Sequence, residues 1–409
     1  MPQDSRDHGP QRVVTALGIL LGAAALLLLL PITLLFTEVL LAVTSRGVKS
    51  APTGDRRRLA VLVPAHNEAS VIAGALRAII PQLQPSDRLV VVADNCSDET
   101  AAVAISQGAE AIVRADMTRR GKGYALDFGV RHLAHDPPDV VIVIDADCQV
   151  AAGSIDRLAR TCIHTARPTQ ALYLMSAPKD AAVMTRISEF AWVVKNQVRA
   201  SGFHRLGLAC QLMGTGMAFP WLCISTANLA TGNIVEDLKL GIDLMRAGTP
   251  PLFCPEALVT STFPLSSEGN QSQRARWEHG HLGVLLNDAP RLFLYSLARL
   301  DLKTMASALD LCVPPLALLV LQVVAVWVAS VVFYAFTKSP TPLIISSVGG
   351  AMFVCAVLLS WMRYGRRILS LGSLAHAGLY ILWKIPLYAK FLVARQVNWV
   401  RSKRDEEGR

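Results

Sequence analysis

Charge is scarce in this 409-residue chain: Asp, Glu, Lys and Arg together make up 17% of it, against 52% for apolar residues. Some stretches lack it almost entirely. Val13 to Val43 carries only Glu38, and Met305 to Phe336 and Leu343 to Met362 are similarly apolar. A helix needs about 20 apolar residues to cross a bilayer, so three membrane segments are expected. The first is too long for one upright helix and too short for two, which fits a span that is tilted or kinked at Pro31. A secretory leader has an apolar core of only about 7 to 15 residues, which argues against that reading of the N-terminus.

Other absences narrow the field. The eight cysteines, at positions 96, 148, 162, 210, 223, 254, 312 and 355, form no C-x-x-C pair and no zinc-ligand spacing with histidine. Reduced structural thiols in a cytoplasmic domain are therefore expected. No internal repeat occurs, and no low-complexity run apart from the leucine-rich first segment.

The formal charge is +9, but the cations are not spread over a soluble face. Arg46, Lys49, Arg56, Arg57 and Arg58 follow the first apolar segment, Arg363, Arg366 and Arg367 follow the third, and Arg401, Lys403 and Arg404 lie near the C-terminus. Clusters flanking membrane segments report topology and contact with anionic membrane lipids, so nucleic acid is not an expected partner. With the first cluster inside, the chain from about residue 46 to 304 is cytoplasmic, the turn Thr337 to Thr341 lies outside and the third segment returns at Arg363. The expected location is thus the cell membrane, multi-pass, with the catalytic domain in the cytoplasm. Lys384, Pro386 and Lys390 interrupt the last apolar stretch, Leu371 to Val393. It reads as interfacial or re-entrant, with a further full span as the rival.

Between about residues 58 and 290 short apolar strands alternate with helical stretches, the pattern of an α/β domain with a mainly parallel sheet. The expected division is 1–50 tail and first span, 51–290 catalytic domain and 291–409 C-terminal membrane region. Leu59 to Val63 is a strand ending in Pro64-Ala65-His66-Asn67-Glu68, with a helix from about Ala69 to Ile80. Arg88 to Ala93 is a second strand, followed by Asp94 and a helix from Glu99 to Gln107 that Ser97 or Asp98 can cap. Ala111 to Arg114 is a weaker strand, leading through Gly121-Lys122-Gly123 to a helix from Tyr124 to His132. Val140 to Ile144 is the clearest strand, five β-branched residues in a row.

Such a strand is buried on both faces, and in open α/β sheets ligands bind where strands end. Directly after this strand stands Asp145-Ala146-Asp147. Two carboxylates one residue apart suit a hard divalent cation, Mg2+ or Mn2+, shared with substrate phosphates. A lone D-x-D is a weak signal, but Asp94 also ends a strand, and Lys122 between two glycines is a cation of the kind that meets phosphate. Gly214-Thr215-Gly216 lets backbone approach a ligand. Glu236 and Asp237 open a helix running to about Ala247, where acids also complement the helix dipole, and Asp237 can accept a proton. Gln273-Arg274-Ala275-Arg276-Trp277 reads either as an interfacial basic helix or as a pyrophosphate and sugar contact. His279 and His281 lack a third ligand and are expected to pack locally.

In order, VPAHNEA, VVADNCSDET, RGKGYAL, VIVIDADCQ, GTGMAF, IVEDLKLG and QRARW resemble a membrane family 2 glycosyltransferase of the kind that includes cellulose, chitin and hyaluronan synthases. The layout is most similar to the smaller bacterial exopolysaccharide synthases. The resemblance implies a GT-A fold and inverting transfer from a UDP-sugar donor to a growing oligo- or polysaccharide. Transfer to a lipid-linked acceptor is the alternative, and a non-catalytic membrane scaffold or a nucleotidyl transferase are the rivals from other classes. It implies donor contacts from Pro64, Asn67, Glu68, Asp94, Lys122, Asp145, Gln273 and Arg276. It also implies metal ligation by Asp147 with Asp145, a catalytic base in Asp237 beside Glu236, and acceptor contacts from Trp277, Gly214 and Thr215. Two departures stand out: Val235 replaces a usual threonine, and Asn95 follows Asp94 where many relatives have a second aspartate. With few spans, a polymer pore would need a homo-oligomer or separate export partners.

Overall fold

The computed structural model describes residues 8–44, 54, 56–264 and 267–393. Arg46, Lys49, Arg401, Lys403 and Arg404, on which part of the topology reading rests, lie outside the described residues, as does the side chain of Arg274.

The middle of the chain forms one eight-stranded sheet: β1 (Leu59–Ala65), β2 (Arg88–Asp94), β3 (Glu110–Arg114), β4 (Val140–Val143), β5 (Gln149–Val150), β6 (Thr169–Ser176), β7 (Met217–Pro220) and β8 (Leu252–Thr262). Its strand order is β3-β2-β1-β4-β7-β6-β8-β5. The first half is parallel, as expected from the strand and helix alternation, with β1 between β2 and β4. β7 then runs antiparallel to both β4 and β6, whereas β6 and β8 are parallel. The later strands carry no comparable β-branched run, so periodicity alone left them unread. The result is a GT-A-like α/β fold with a mainly parallel sheet.

Val140 to Ile144 are all fully buried. Val140, Ile142 and Ile144 pack into one apolar layer with the helix Ile72–Ile79, and Val141 and Val143 into the opposite layer with the helix Lys122–Leu133. That two-sided burial explains the unbroken β-branched run. It also holds the end of β4, and Asp145 and Asp147 beyond it, on a rigid support.

Among the described residues three helices are long and apolar enough to cross a membrane: Gln11–Val43, Leu316–Thr337 and Thr341–Gly365. The second begins later than the expected Met305. Leu302–Leu311 is a separate helix capped by Asp301, whose carboxylate accepts from the backbone N–H groups of Lys303 and Thr304. Pro314 and Pro315 follow and prevent a continuous helix. Asp310, near the end of that short helix, is buried against Arg199, which also pairs with Glu38 of the first apolar helix at 2.7 Å. Leu371 to Val393 folds as three short helices, Leu371–Ala375, Ala377–Trp383 and Ile385–Val393, each too short to cross a bilayer. Lys384 sits at the second break and pairs with Glu278.

Candidate active site

At the carboxyl edge of the parallel strands lies a cavity of about 240 Å³. Its wall contains Pro64, Glu68, Asp94, Lys122, Asp145, Asp147, Gly214, Glu236, Asp237, Gln273, Arg276 and Trp277. Residues as far apart in sequence as 64 and 277 therefore converge on one space. Asn67 and Thr215 do not line it. Each instead shapes a neighbour that does.

Asn67 adopts a left-handed conformation, φ 56°, and its side-chain oxygen accepts from the Ser97 N–H at 2.7 Å. The Glu68 N–H donates to Thr100 Oγ at 2.8 Å, and the Asp98 carboxylate takes the Ala69 and Thr100 N–H groups. The loops after β1 and β2 are thus tied together, by Asp98 rather than through a Ser97 cap. Asn95 is left-handed as well, φ 52°: its amide donates to Asp94 at 3.0 Å and to the Asp116 carbonyl, and accepts from the Asp116 N–H at 2.7 Å. An aspartate at that position has no N–H to donate, so asparagine suits this loop.

Asp94 is buried and accepts from Arg114 at 2.5 Å. Burial pushes its carboxyl above the usual range, and Arg114 opposes that shift. The Asp145 N–H donates to Thr215 Oγ at 3.0 Å, so the fully buried Thr215 fixes the backbone beside the metal motif. Gly214 and Gly216, at φ 87° and 67°, make the turn that brings it there.

Lys122 opens its helix with its ammonium on the Asp145 carboxylate, 2.8 Å from the Gly214 carbonyl and 4.0 Å from Glu236. Those carboxylates hold it in the charged form despite burial. Burial, together with the Asp237 charge, pushes Glu236 up to about 7, and burial pushes Asp237 upward too. Asp237 makes no ion pair among the described residues, whereas Glu236 has Lys122 within reach. Val235, in place of the usual threonine, packs against Gly280 on the helix Ser267–Ala298, which also bears Gln273, Arg276 and Trp277. No side chain larger than glycine fits between them.

Asp145, Asp147 and Cys148 present ligand atoms within 4.8 Å of one another. Two hard carboxylates suit Mg2+ or Mn2+. The buried Cys148 thiol is held well above its normal range by burial and by the Asp147 and Asp145 charges. Gln273 Oε1 is buried without a hydrogen-bond partner among the described residues, as a wall atom awaiting a polar ligand would be. The donor set therefore fits a cation shared with a phosphate. His279 and His281 pack locally: the Nε2 of each meets a backbone carbonyl, that of Leu387 and that of Val313, at 3.1 Å.

Several wall residues went unread in the sequence. His66 lies within a noted loop, 2.6 Å from the Asp94 carbonyl. Trp192, Lys195 and Asn196 come from a helical stretch without a motif, and nothing in their spacing marks them. Trp192 lies 4.8 Å from Trp277 between ring centres and edge-on to Tyr173 at 5.5 Å.

The likeness to known proteins follows the same boundaries. A sequence model of the family described as "Glycosyltransferase like family 2" matches residues 56–280, over half of the chain. The probable glycosyltransferase YdaM of Bacillus subtilis is 27% identical over 58% of this chain and 58% of its own length, so the chain spans little more than half of that curated relative. The 4,4'-diaponeurosporenoate glycosyltransferase of Staphylococcus aureus is 35% identical over 23% of this chain and 24% of its own. In structure, the mannosyltransferase PcManGT of Pyrobaculum calidifontis, solved with GDP-Man and Mn2+, covers 89% of this chain and 99% of its own, with a TM-score of 0.54 at 16% identity. That last likeness concerns the fold. Matched by the family model across the sheet and the cavity wall, this chain belongs to glycosyltransferase-like family 2.

Proposed function

We propose that the protein transfers a sugar from a UDP-sugar, with inversion, to a glycan or lipid-linked acceptor at the cytoplasmic membrane face. The observation that carries this is the single cavity shared by Asp145, Asp147, Lys122, Arg276, Glu236 and Asp237. Paired acids for a metal, cations for a diphosphate and a separate carboxylate for a proton are what such a displacement needs.

Asp147, with Asp145, would hold Mg2+ or Mn2+, which when bound neutralises charge on the donor diphosphate. Lys122 and Arg276 add fixed positive charge to the same wall. Burial disfavours the charged form of Arg276, and the Glu236, Asp145, Asp147 and Asp237 charges oppose that shift. The acceptor oxygen attacks the anomeric carbon as the bond to the diphosphate breaks, and its proton passes to Asp237. The base role is assigned to Asp237, as the resemblance implies; it makes no ion pair among the described residues, whereas Lys122 lies 4.0 Å from Glu236. Pro64, Glu68, Asp94 and Gln273 are assigned to the donor, and Trp277 with Gly214 to the acceptor side. Asn67 and Thr215 act by positioning Glu68 and Asp145. The narrower kinship with the polysaccharide synthases belongs to this proposal as well.

The test is to incubate full-length protein in detergent with a panel of UDP-sugars and Mn2+ or Mg2+, measuring UDP release and product mass. UDP formed together with a product heavier by one sugar supports the reading. Release of pyrophosphate from the nucleotide would instead identify a nucleotidyl transferase.

A further inference from the structure

A second cavity, about 440 Å³, adjoins the first and shares Trp192, Lys195 and Trp277 with it. Part of its wall comes from the three candidate membrane helices, through Leu35, Leu316, Leu319, Val320, Phe353 and Val357, and the rest from the stretches 187–199, 263–281, 313–315 and 374–384. An apolar chamber partly walled by candidate membrane helices that meets a polar site at one end matches an amphiphile in shape and chemistry.

The seam has charge of one sign to offer. Of the other ionic groups on the wall, Arg199 is engaged by Glu38 and Asp310, and Glu278 and Lys384 pair with each other. His281 is held neutral, its pKa pushed down to about 3 by burial. Lys195 has no carboxylate partner among the described residues, and its ammonium lies 5.9 Å from the centre of the Trp192 ring. It projects from the π-helical turn Val194–Arg199, an irregularity that often marks functional positions. Burial lowers its pKa, and the Asp237 carboxylate is the largest charge opposing that shift, so Lys195 stands within electrostatic reach of the assigned base.

We propose that the acceptor is a membrane lipid whose alkyl or isoprenoid tail fills the apolar chamber and whose phosphate-type head binds Lys195, bringing the acceptor hydroxyl on that head to Asp237. This rests on the sugar-transfer reading and names its acceptor class. The transfer step keeps its balance. The lipid hydroxyl oxygen bonds to the anomeric carbon, the bond to UDP breaks with its electron pair, and the proton goes to Asp237.

The test uses full-length protein in phosphatidylcholine nanodiscs. The probes are an alkyl phosphate carrying a photoreactive diazirine in its tail and the matching uncharged alcohol. The phosphate is expected to label the stretches 316–320 and 353–358. Lys195→Met is expected to lower that labelling about tenfold, the scale of losing one charge-assisted contact. Lys195→Arg is expected to keep it, which separates a charge effect from misfolding, and labelling by the alcohol is expected to be equally weak in all three proteins. Equal labelling by phosphate and alcohol in the unmodified protein, displacement of the probe by inorganic phosphate, or labelling confined to other stretches overturns the proposal. Hydrolysis of the UDP-sugar to UDP and free sugar, with water as acceptor and no added lipid, tests the donor chemistry by itself. UDP release without tail labelling removes only the lipid site, and tail labelling without UDP release removes only sugar transfer.

Discussion

The Lys122 ammonium donates to the Gly214 carbonyl at 2.8 Å and rests on the Asp145 carboxylate, bridging loops 92 residues apart in sequence. One cation thereby holds together the metal motif, the small-residue turn and, 4.0 Å away, the acidic pair at Glu236. Without it, the Asp145 carboxylate would lose its ion-pair partner and Glu236 the cation beside it.

Lys122→Met is therefore expected to reduce kcat/KM for UDP release by at least about a hundredfold, the scale of removing one preorganised charge from a transition-state site. It should also move the acid limb of the pH profile upward, because the carboxylates lose the charge that favours their ionised forms. Steady-state kinetics across pH checks both. A variant with an unshifted profile would show that Lys122 is not the electrostatic centre of the cavity.

On the proposed base assignment, the pH dependence of the unmodified protein is expected to come from the acidic pair. A base must be ionised to work, and the buried pair titrates above the usual carboxylate range, with Glu236 pushed up to about 7. Turnover should rise with pH through that region and fall about tenfold per unit below it, as for a single essential base. Asp237→Asn should abolish the rise and lower kcat by about 10²–10⁴, the range for general-base catalysis. UDP binding by calorimetry should survive in that variant. Near-normal turnover in Asp237→Asn would exclude it as the base.

Thr215→Val tests a residue that acts through its neighbour. The change keeps shape but leaves the buried Asp145 N–H without its acceptor, at a cost of about 1–3 kcal/mol. Because the lost contact positions a metal-motif carboxylate, the expected signature is a weaker Mn2+ requirement curve, with half-activation shifted about tenfold, the usual scale for outer supporting contacts. Thr215→Ser, which retains the oxygen, should restore it. A drop in stability with unchanged metal dependence would reduce Thr215 to a packing role.

Gly280→Ala is expected to force the helix Ser267–Ala298 away from Val235, since the added methyl has no room between them. Misplacing Gln273, Arg276 and Trp277 by a fraction of an ångström should cost activity, on the order of tenfold to a hundredfold. The double variant Val235→Ala with Gly280→Ala removes the clash and should recover most of that loss. Absence of recovery in a double-mutant cycle would mean that the two sites are not coupled by contact.

The buried Arg199 pairs with Glu38 of the first apolar helix and with Asp310 of the short helix before the second. Arg199→Leu leaves both acids without their cation and should destabilise the protein by about 3–5 kcal/mol. Thermal unfolding in detergent measures it. Replacing all three residues with apolar ones should be far milder, because no uncompensated charge remains.

How far the sequence reached depended on the range of the interactions involved. Apolar length marked the first and third candidate membrane helices, because crossing a bilayer is a local demand on composition. The second was misjudged at its start. Asp310 belongs to a buried ion pair with a residue 111 positions away, which only the folded chain shows, and the Pro314-Pro315 pair that divides the run went unread. The run Val140 to Ile144 announced its two-sided burial, and so the position of Asp145 and Asp147 at a strand end. β6, β7 and β8 had no such signature, since their pairing is set by partners far along the chain.

The same division runs through the site. Residue type and local order determined which acids and cations were available: the Asp145-Ala146-Asp147 motif, Lys122 between its glycines, Glu236-Asp237, and the Gln273 to Trp277 group. Tertiary structure alone decided that Lys122 serves Asp145, Glu236 and the Gly214 carbonyl at once, that Thr215 and Asn67 stand behind the wall, and that Asp98 joins two loops. It also decided that Lys195, from a stretch with no motif, stands where a polar cavity meets an apolar one. Chemistry of one side chain is written in the sequence, whereas the sharing of one space by side chains from distant segments depends on how the sheet and the membrane helices pack.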